Sequence, residues 1–441
     1  MARRTLGLLC VFVTLLLPTP RALAAPGELL WTMSYVGPGD TFDEAQDVVV
    51  DPGGARVFIT SGTAGEESSD IVTIAYDAVT GDQLWKRRYD GPKHEDDVGW
   101  RLAMDPAGNH LFMTGWSEGK APHQHDVVTI AYDPETGEKS WLKRYDSPDH
   151  QDDSAAAIAA TNTRVFVTGA SGDGIVTVAY NANTGKRLWV VDGAGYGASI
   201  AARGSHVYVG GDLNGDFRTL AYAAKTGKKI WSEKYAGPFG GSDSVQSLAL
   251  SEDGTSVFVT GTSAESSGHS VIATIGYDAA SGDELWHVRT TLTPDGGYDQ
   301  NPSIAVAPDG SRAFVAIQHL DDSSDDFFLI ETYDTSDGTE SWSRLEDGSG
   351  HGGIPVDVTV APDSSQIYVI GSGSVDFGIG GMITAAYEAA TGGPALWGVA
   401  AVVDASGYNF GNAVAVAPDG SAVFAAGTTG SDIRIEAYVT T

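Results

Sequence analysis

The chain has 441 residues and a formal net charge of −32, with 26 lysines and arginines against 58 aspartates and glutamates. A surface this acidic repels nucleic acid and anionic membranes, which excludes functions that depend on binding either of them. The single cysteine, Cys10, excludes a disulfide framework and a cysteine metal site.

The first 25 residues have the pattern of a secretory signal peptide. Arg3 and Arg4 form a basic start, residues 6–17 form an apolar core, and Ala22-Leu23-Ala24 is a small-residue cleavage site. No later stretch is long and apolar enough to span a bilayer. We therefore expect an exported, secreted protein whose mature part is residues 26–441.

A motif of the form Ala-Tyr-Asp-x-x-Thr-Gly-x-x-x-Trp recurs along the rest of the chain. Its clearest copies are residues 75–85 and 131–141. The spacing between successive tyrosines runs from 42 to 56 residues, and these tyrosines are Tyr76, Tyr132, Tyr180, Tyr222, Tyr277, Tyr333, Tyr387 and Tyr438. Repetition at such a period is typical of solenoids, propellers and arrays.

Each unit is predicted to form four short antiparallel strands, which in the first unit are residues 46–50, 56–60, 71–76 and 83–89. Four strands per unit indicate a propeller blade, so the eight units predict an all-β, eight-bladed β-propeller in a single domain. The last unit lacks a tryptophan strand. We expect residues 29–35 to complete the eighth blade, which closes the ring, hides the sheet edges and favours a monomer.

The repeats resemble two classes of bacterial propeller repeat. The motif Ala-x-Asp-x-x-Thr-Gly-x-x-x-Trp is similar to the tryptophan-docking motif of pyrroloquinoline-quinone (PQQ)-type propellers, and Arg164-Val-Phe-Val-Thr-Gly169 resembles the SBBP repeat. The resemblance implies the propeller fold for almost the whole mature chain. The PQQ-type proteins include quinoprotein dehydrogenases, outer-membrane assembly scaffolds and secreted proteins that are not enzymes.

The tryptophan of each copy is predicted to pack on the Thr-Gly turn of a neighbouring blade. Glycine at the turn lets the indole ring approach the backbone closely.

Five of the eight units carry an aspartate where the chain enters the innermost strand of the blade. These residues are Asp43, Asp97, Asp153, Asp243 and Asp299, and the other three units have Gly195, Gly353 and Asn409. A ring of carboxylates at the mouth of the central channel suits calcium. The other interpretation is that each aspartate caps nearby backbone N–H groups. Both interpretations stay open at the level of the sequence.

Four histidines lie near these aspartates or in the same set of long loops. His94 and His150 precede the aspartate in neighbouring units, and His123 and His125 belong to one long loop. Histidines beside acids can form a transition-metal site or supply a general base. The sequence fixes no third ligand, and polar residues on a solvated face explain the pattern equally well.

The sequence favours a secreted, acidic, non-catalytic binding or scaffold module. Its long, variable loops would face a protein, a glycan or a small molecule, and calcium is the cation that would stabilise it. Two alternatives stay open. One is a PQQ-dependent dehydrogenase, which the family resemblance implies, although the mature chain lacks the adjacent cysteines that many of these enzymes carry, so PQQ itself is not expected. The other is a metal-assisted extracellular lyase or hydrolase with His94 or His150 as its base.

Overall fold

A computed structural model describes residues 25–38, 43–64, 68–119, 124–172, 174–265, 269–290, 298–320, 326–346, 353–375, 379–401 and 408–440. The predicted signal peptide, apart from Ala25, lies outside these residues, as does His123. The described residues contain no helix of the length and apolar character needed to cross a membrane.

The described residues form 32 strands in eight four-stranded antiparallel sheets. Strand β1 spans Leu29–Tyr35. Blade 1 comprises β2 to β5, which span Asp43–Val50, Arg56–Ala64, Ser69–Asp77 and Gln83–Tyr89. Blade 2 comprises β6 to β9, which span Asp97–Met104, Leu111–Glu118, His125–Tyr132 and Lys139–Tyr145. Blade 3 comprises β10 to β13, which span Asp153–Thr161, Arg164–Ser171, Gly174–Asn181 and Arg187–Ala194.

The remaining blades follow the same order. Blade 4 comprises β14 to β17, which span Tyr196–Arg203, His206–Leu213, Asp216–Ala223 and Lys229–Tyr235. Blade 5 comprises β18 to β21, which span Ser244–Leu250, Ser256–Ala264, Ser270–Asp278 and Glu284–Arg289. Blade 6 comprises β22 to β25, which span Tyr298–Val306, Arg312–Leu320, Asp326–Asp334 and Glu340–Glu346. Blade 7 comprises β26 to β29, which span Gly353–Val360, Gln366–Val375, Ile379–Glu388 and Trp397–Ala401. Blade 8 contains β30 to β32, which span Tyr408–Val416, Ala422–Gly430 and Asp432–Val439.

The two ends of the chain meet in blade 8. Strand β1 pairs antiparallel with β32, with Met33 opposite Ile435, so the sheet order is β1-β32-β31-β30. This pairing confirms that the N-terminal strand completes the last blade. Because the pairing covers the outer edge of β32, the final blade has the same four strands as the others.

The innermost strand begins earlier than the sequence predicts. Strand β2 starts at Asp43, whereas the alternation of apolar residues predicts a start at residue 46. The register between β2 and β3 shifts between Ala45 and Asp47, which is a β-bulge that breaks the alternation. All eight innermost strands carry such a shift at the equivalent point.

The apolar core lies between the faces of neighbouring blades. Between blades 8 and 1, for example, Ile59 and Ile74 pack against Phe424 and Ile435, and all four side chains are buried. Each of the other blade interfaces has a cluster of the same kind. Burial of this apolar surface is the main term that favours the closed ring.

Each repeat tryptophan packs on the turn glycine of the next blade, as predicted. A Cβ atom added to Gly137 would lie 2.5 Å from Cδ2 of Trp85, and Gly137 has a φ of +68°. Only glycine fits there, because both the space and the left-handed backbone exclude a side chain. The Trp85 Nε1–H also donates to the Pro134 carbonyl at 3.0 Å. Equivalent indole bonds are made by Trp31, Trp141, Trp189, Trp231, Trp286 and Trp342.

The eighth tryptophan marks the seam of the ring. In blade 8, Gly27, with a φ of +76°, takes the place that the turn glycine has in the other blades. A Cβ atom on Gly27 would lie 2.8 Å from Cγ of Trp397. Trp397 Nε1 is buried and has no hydrogen-bond partner among the described residues. The seam therefore keeps the packing and loses the hydrogen bond.

Replacing Trp141 with alanine should lower the free energy of unfolding by about 3–5 kcal/mol, because the change removes a buried aromatic ring and leaves a cavity between two blades. Denaturant unfolding followed by tryptophan fluorescence measures the loss. Ser140→Ala, at the exposed neighbouring position, is the control and should change stability by less than about 0.5 kcal/mol. A cost near zero for Trp141→Ala would contradict the docking role.

Candidate functional site

The two faces of the ring carry different connections. The short turns after the first and third strands of each blade lie on one face. The other face, here called the loop face, carries the loops between the second and third strands and the connections between blades. The shortest connection between blades joins blades 3 and 4, where Gly195 alone links β13 to β14. Long loops on a rigid scaffold are the usual place for binding residues.

The five predicted aspartates lie at the start of the innermost strands on the loop face, and all are buried. Four of them accept a hydrogen bond from the backbone N–H six residues earlier. Ser147 N–H donates to Asp153 Oδ2 at 2.5 Å and Gly237 N–H donates to Asp243 Oδ2 at 2.5 Å. Gly37 and Gly91 make the same bond to Asp43 and Asp97. Each aspartate therefore fixes the connection that precedes its own strand.

Asp299 is bound differently from the other four. Its Oδ1 lies 2.7 Å from His319 Nδ1, and its Oδ2 accepts a hydrogen bond of 2.6 Å from Thr290 Oγ1. Asp299 and His319 are both almost inaccessible to solvent. The pair satisfies two buried polar groups with each other and with a threonine, which is how buried polar groups are normally retained.

These hydrogen bonds match the capping interpretation of the aspartates, while calcium binding stays a prediction. Burial raises the pKa of Asp97 and of Asp153, and hydrogen bonds to each carboxylate oppose that rise. A buried carboxylate is stabilised as an anion when N–H and O–H groups point at it. The same groups occupy lone pairs that a cation would otherwise use.

Two of the five aspartates belong to three-acid clusters. Asp97 lies with Asp70 and Asp90, and Asp153 lies in the equivalent cluster with Asp126 and Asp146, each cluster having its ligand atoms within 4.8 Å of one another. Within the described residues, no such cluster contains two of the five predicted aspartates. Each cluster also holds an arginine.

Arg144 is the arginine of the second cluster. Its Nη2 lies 2.9 Å from Asp126 Oδ2, and its Nη1 donates to Ser117 Oγ at 2.7 Å. In the first cluster Arg88 pairs with Asp70. The guanidinium of each arginine supplies positive charge to the acids, which is the role that the calcium prediction gives to an ion.

The two predicted base histidines lie in separate connections between blades. His94 Nδ1 is 2.8 Å from Asp90 Oδ2, and His150 Nδ1 is 2.8 Å from Asp146 Oδ1. Both residues have a positive φ, 56° and 51°, at the place that Gly240 occupies in the connection after blade 4. Their side chains are largely exposed. Each histidine therefore contacts one carboxylate on a solvated loop.

His125 lies against the loop of blade 2. Its ring is 4.1 Å from the Trp116 ring, and its Nδ1 is 3.6 Å from Asp152 Oδ1. The Asp152 carboxylate also accepts a hydrogen bond of 3.0 Å from the backbone N–H of His125. The contact joins the start of β8 to the connection after blade 2.

A second candidate site is the central channel, which sequence reasoning missed. All eight innermost strands line a cavity of about 360 Å³ along the channel. In each innermost strand the residue that follows the bulge lines the channel. In six of the eight strands this residue is polar. These residues are Asp47, Arg101, Ser199, Ser247, Ser303 and Asp357. Aligning the first strands by their buried aliphatic residue would have found this column.

The channel residues join neighbouring blades. Asp47 Oδ2 accepts the Leu102 N–H at 2.7 Å, and Asp357 Oδ2 accepts the Val414 N–H at 3.0 Å. Burial raises the pKa of Asp47 to about 6, and the nearby Arg101 guanidinium opposes that rise. Burial also raises the pKa of Asp357. The channel thus carries two acids that hold a proton more readily than a free aspartate does.

Residues 21–177 and 172–321 match the PQQ_2 family, which is described as Outer membrane protein assembly factor BamB. These residues make up more than half of the chain. The chain belongs to the PQQ_2 family. Membership agrees with the resemblance to PQQ-type propellers, and the SBBP resemblance stays a prediction. No curated protein sequence matches this PQQ_2 chain.

Several solved propellers share the fold of this PQQ_2 chain. Sqt1 from Chaetomium thermophilum has a TM-score of 0.63 at 13% identity, over 92% of this chain and 98% of its own. The C-terminal WD40 domain of Sif2 has a TM-score of 0.62 at 8% identity, over 95% and 100%. Quinohemoprotein alcohol dehydrogenase ADHIIG from Pseudomonas putida HK5 has a TM-score of 0.58 at 13% identity, over 94% and 76%. At these identities the likeness concerns the fold alone.

The buried carboxyl group of Asp47 in the channel should make the stability of the protein depend on pH. The folded pKa of Asp47, about 6, lies above its ordinary value of 3.8, so the unfolded chain releases the proton first as the pH rises. The contribution of Asp47 is therefore complete below about pH 4 and is lost as the pH rises to about 6.

In the Asp47→Asn variant, the fall in unfolding free energy between pH 4 and 6.5 should be about 1–3 kcal/mol smaller than in the wild type. One pKa unit corresponds to about 1.4 kcal/mol. Denaturant unfolding at several pH values gives the slope. Asp149→Asn, at an exposed position, is the control that should leave the slope unchanged. An identical slope in wild type and Asp47→Asn would contradict the raised pKa.

Proposed function

We propose that this protein is an exported, non-catalytic binding module that acts as a scaffold in the cell envelope, with the loop face as its contact surface. The observation that carries the proposal is that the loop-face aspartates accept hydrogen bonds from the backbone of the loops. Four of the five are hydrogen-bonded to the backbone of the connection that precedes them. These acids hold the shape of a surface, which is what a binding module requires of them.

A second row of acids ties neighbouring loops together. Asp96 accepts the Ser69 N–H at 2.8 Å, and Asp152 accepts the His125 N–H at 3.0 Å. In both cases the connection after a blade is bonded to the start of that blade's third strand. Loops fixed before a partner arrives lose less conformational entropy on binding, which favours tight contact.

The family description names an assembly factor for outer-membrane proteins. We transfer from it the general role of a protein that contacts other proteins during assembly. The acidic composition favours a partner with a basic or polar contact surface. A protein partner is thus preferred over a glycan, although both would meet the same face.

Cross-linking should distinguish the two faces of the ring. Cys10 is the single cysteine of the chain and lies in the predicted signal peptide, so one introduced cysteine can carry a photoreactive label without background. Asp149→Cys places the label on the loop face at an exposed position. We expect one discrete adduct with an envelope protein from the exporting cell, because the loops present a fixed surface.

Val79→Cys is the matched control. Val79 is 78% exposed and lies in a turn on the opposite face. It should give no adduct under the same conditions. Equal adducts from both positions, or none from Asp149→Cys over a range of partner concentrations, would contradict a loop-face binding function.

The dehydrogenase alternative depends on whether the channel suits PQQ. PQQ carries three carboxylates and a flat aromatic ring system. The cavity is lined by Asp47 and Asp357 against one cation, Arg101, and no aromatic residue is among its described lining residues. Acids repel a tricarboxylate in a partly desolvated channel. The described residues therefore do not fit this cofactor, and the binding module is the preferred function.

The lyase or hydrolase alternative would need a metal together with a base. His94 and His150 each contact one carboxylate in different connections. Within the described ranges, no group of three residues close enough to bind one metal ion includes either histidine. The geometry thus favours the binding module over this alternative as well.

The sequence places calcium at the five loop-face aspartates, and we narrow the proposed site to the two three-acid clusters, which contain Asp97 and Asp153. Thermal unfolding of the purified protein in chelator, in calcium, and in calcium with PQQ tests it, because a ligand that binds only the folded state raises the midpoint. The proposal predicts a rise with calcium and no further rise with PQQ.

Asp90→Asn combined with Asp146→Asn should remove the calcium response, because both clusters then lose an acid. A calcium response that persists in this variant would place the ion elsewhere. A further rise with PQQ would overturn the preference for a non-catalytic module.

A further inference from the structure

A cleft of about 360 Å³ opens at the outer rim between blades 3 and 4. Its walls are largely apolar, with Ile175, Val191 and Leu220 among them, and it also contains Arg218 and Lys229. Asp192 is the one acid among the described lining residues, and it is exposed. The volume lies at the lower end of the range typical of small-molecule sites.

The short side chain of Val191 leaves room for the cleft, and blades 5 and 7 also have valine at this position. The residue two positions after the repeat tryptophan is Arg87 in blade 1 and Lys143 in blade 2. Arg87 Nε donates to the Gly137 carbonyl at 2.7 Å, across the groove between blades 1 and 2. Lys143 Cε lies 2.8 Å from the point that a Cβ atom added to Gly185 would occupy. Val191 is too short to reach across, so the equivalent groove between blades 3 and 4 stays open.

Arg218 departs from the repeat at the same interface. The residue four positions before the repeat tyrosine is aliphatic in six blades, and these residues are Val72, Val128, Val176, Ala273, Leu329 and Ile383. Only blades 4 and 8 have arginine there, Arg218 and Arg434. Arg434 Nη2 lies 2.7 Å from the buried Glu436 carboxylate. In blade 4 the position of that glutamate holds Leu220.

The Arg218 guanidinium therefore lacks the partner that its counterpart has. Within the described residues its only hydrogen bond is a long one, 3.5 Å from Nη1 to Ser232 Oγ, and its buried Nε has no hydrogen-bond partner. No acid forms an ion pair with it there, and the nearby Asp216 is bound to Lys234 at 2.6 Å. A partly buried cation without an anion is costly for a fold.

We propose that the cleft between blades 3 and 4 binds a carboxylate attached to an apolar body, with Arg218 as the residue that binds the carboxylate. The Arg218 guanidinium can donate N–H groups to a carboxylate, and Lys229 adds a second positive charge to the lining of the cleft. The apolar walls suit a hydrocarbon or aromatic body and disfavour a strongly hydrated phosphate. The site is distinct from the loop-face contacts and does not depend on them.

Stability measurements separate a binding role of Arg218 from a structural one. Arg218→Leu should leave the midpoint of thermal unfolding unchanged or raise it, because aliphatic residues hold this position in six other blades. Arg434→Leu should lower the midpoint, because it leaves Glu436 buried without its cation. A clear fall in the midpoint for Arg218→Leu would show that the arginine stabilises the blade, and would contradict the proposal.

Calorimetric titration with 4-phenylbutyrate and with its neutral amide tests binding. We expect saturable binding of the carboxylate, at least tenfold weaker binding of the amide, and loss of carboxylate binding in Arg218→Leu. Lys225→Gln removes an exposed positive charge from the neighbouring turn and should leave binding intact.

Val191→Lys is the sharpest control, because it fills the cleft as Lys143 does and adds positive charge. It should abolish binding if the cleft is the site, and strengthen binding if the anion is attracted by surface charge alone. The proposal is overturned if wild type shows no saturable binding of the carboxylate or of the peptide described below. It is equally overturned if Arg218→Leu or Val191→Lys binds as wild type does.

Two sources supply a carboxylate on an apolar body, a free organic acid and the C-terminus of a polypeptide. Titration with a tripeptide ending in leucine, with a free carboxylate or as its amide, distinguishes them. Tighter binding of the free peptide than of 4-phenylbutyrate assigns the cleft to chain ends. Binding of 4-phenylbutyrate without binding of the peptide assigns it to a free organic acid. In both cases the proposal requires that the Arg218→Leu variant no longer binds the ligand.

Discussion

The packing of one indole ring on one glycine, repeated around the ring, is the contact on which the rest of the structure depends. Each tryptophan belongs to the outermost strand of its blade, and the glycine belongs to the next blade. Where the indole N–H also bonds to a carbonyl beside that glycine, as Trp85 does with Pro134, the contact fixes the distance and the rotation between blades. The ring can close only if the last contact is also made, and Gly27 makes it with residues from the other end of the chain.

Because the blade faces carry the core, the loops contribute little apolar surface and need another means of support. Buried carboxylates provide it. Asp153 and Asp243 bind backbone N–H groups of the connections that precede them, and Arg144 binds carbonyls and a carboxylate at the base of a neighbouring loop. The acids on this face therefore have a structural role, and their spacing in the sequence alone does not establish that role. Their abundance follows from the number of loops that must be held, and it is a weak guide to catalysis.

The sequence predicts the strands and the closure of the ring well, because repetition supplies eight examples of one pattern. Residues 29–35 are placed correctly because they lack a partner in their own half of the chain. The start of β2 is missed, because a bulge between Ala45 and Asp47 breaks the alternation on which strand prediction depends. Asp47 and Arg101 are missed for the same reason, since only the bulge turns them into the channel. Four of the five loop aspartates bind a backbone amide, and backbone partners leave no pattern in the residue types.

The same repetition shows where the chain has been altered for something other than folding. A position that is aliphatic in six blades tolerates aliphatic residues, so an unpaired arginine at that position in blade 4 is not required by the core. Gly195 also departs from the repeat at this interface, because it alone joins β13 to β14. Two departures at one interface, one of them an arginine without an ion-pair partner among the described residues, point to a role beyond folding. Function in a repeat protein is therefore best sought where neighbouring residues break the pattern together.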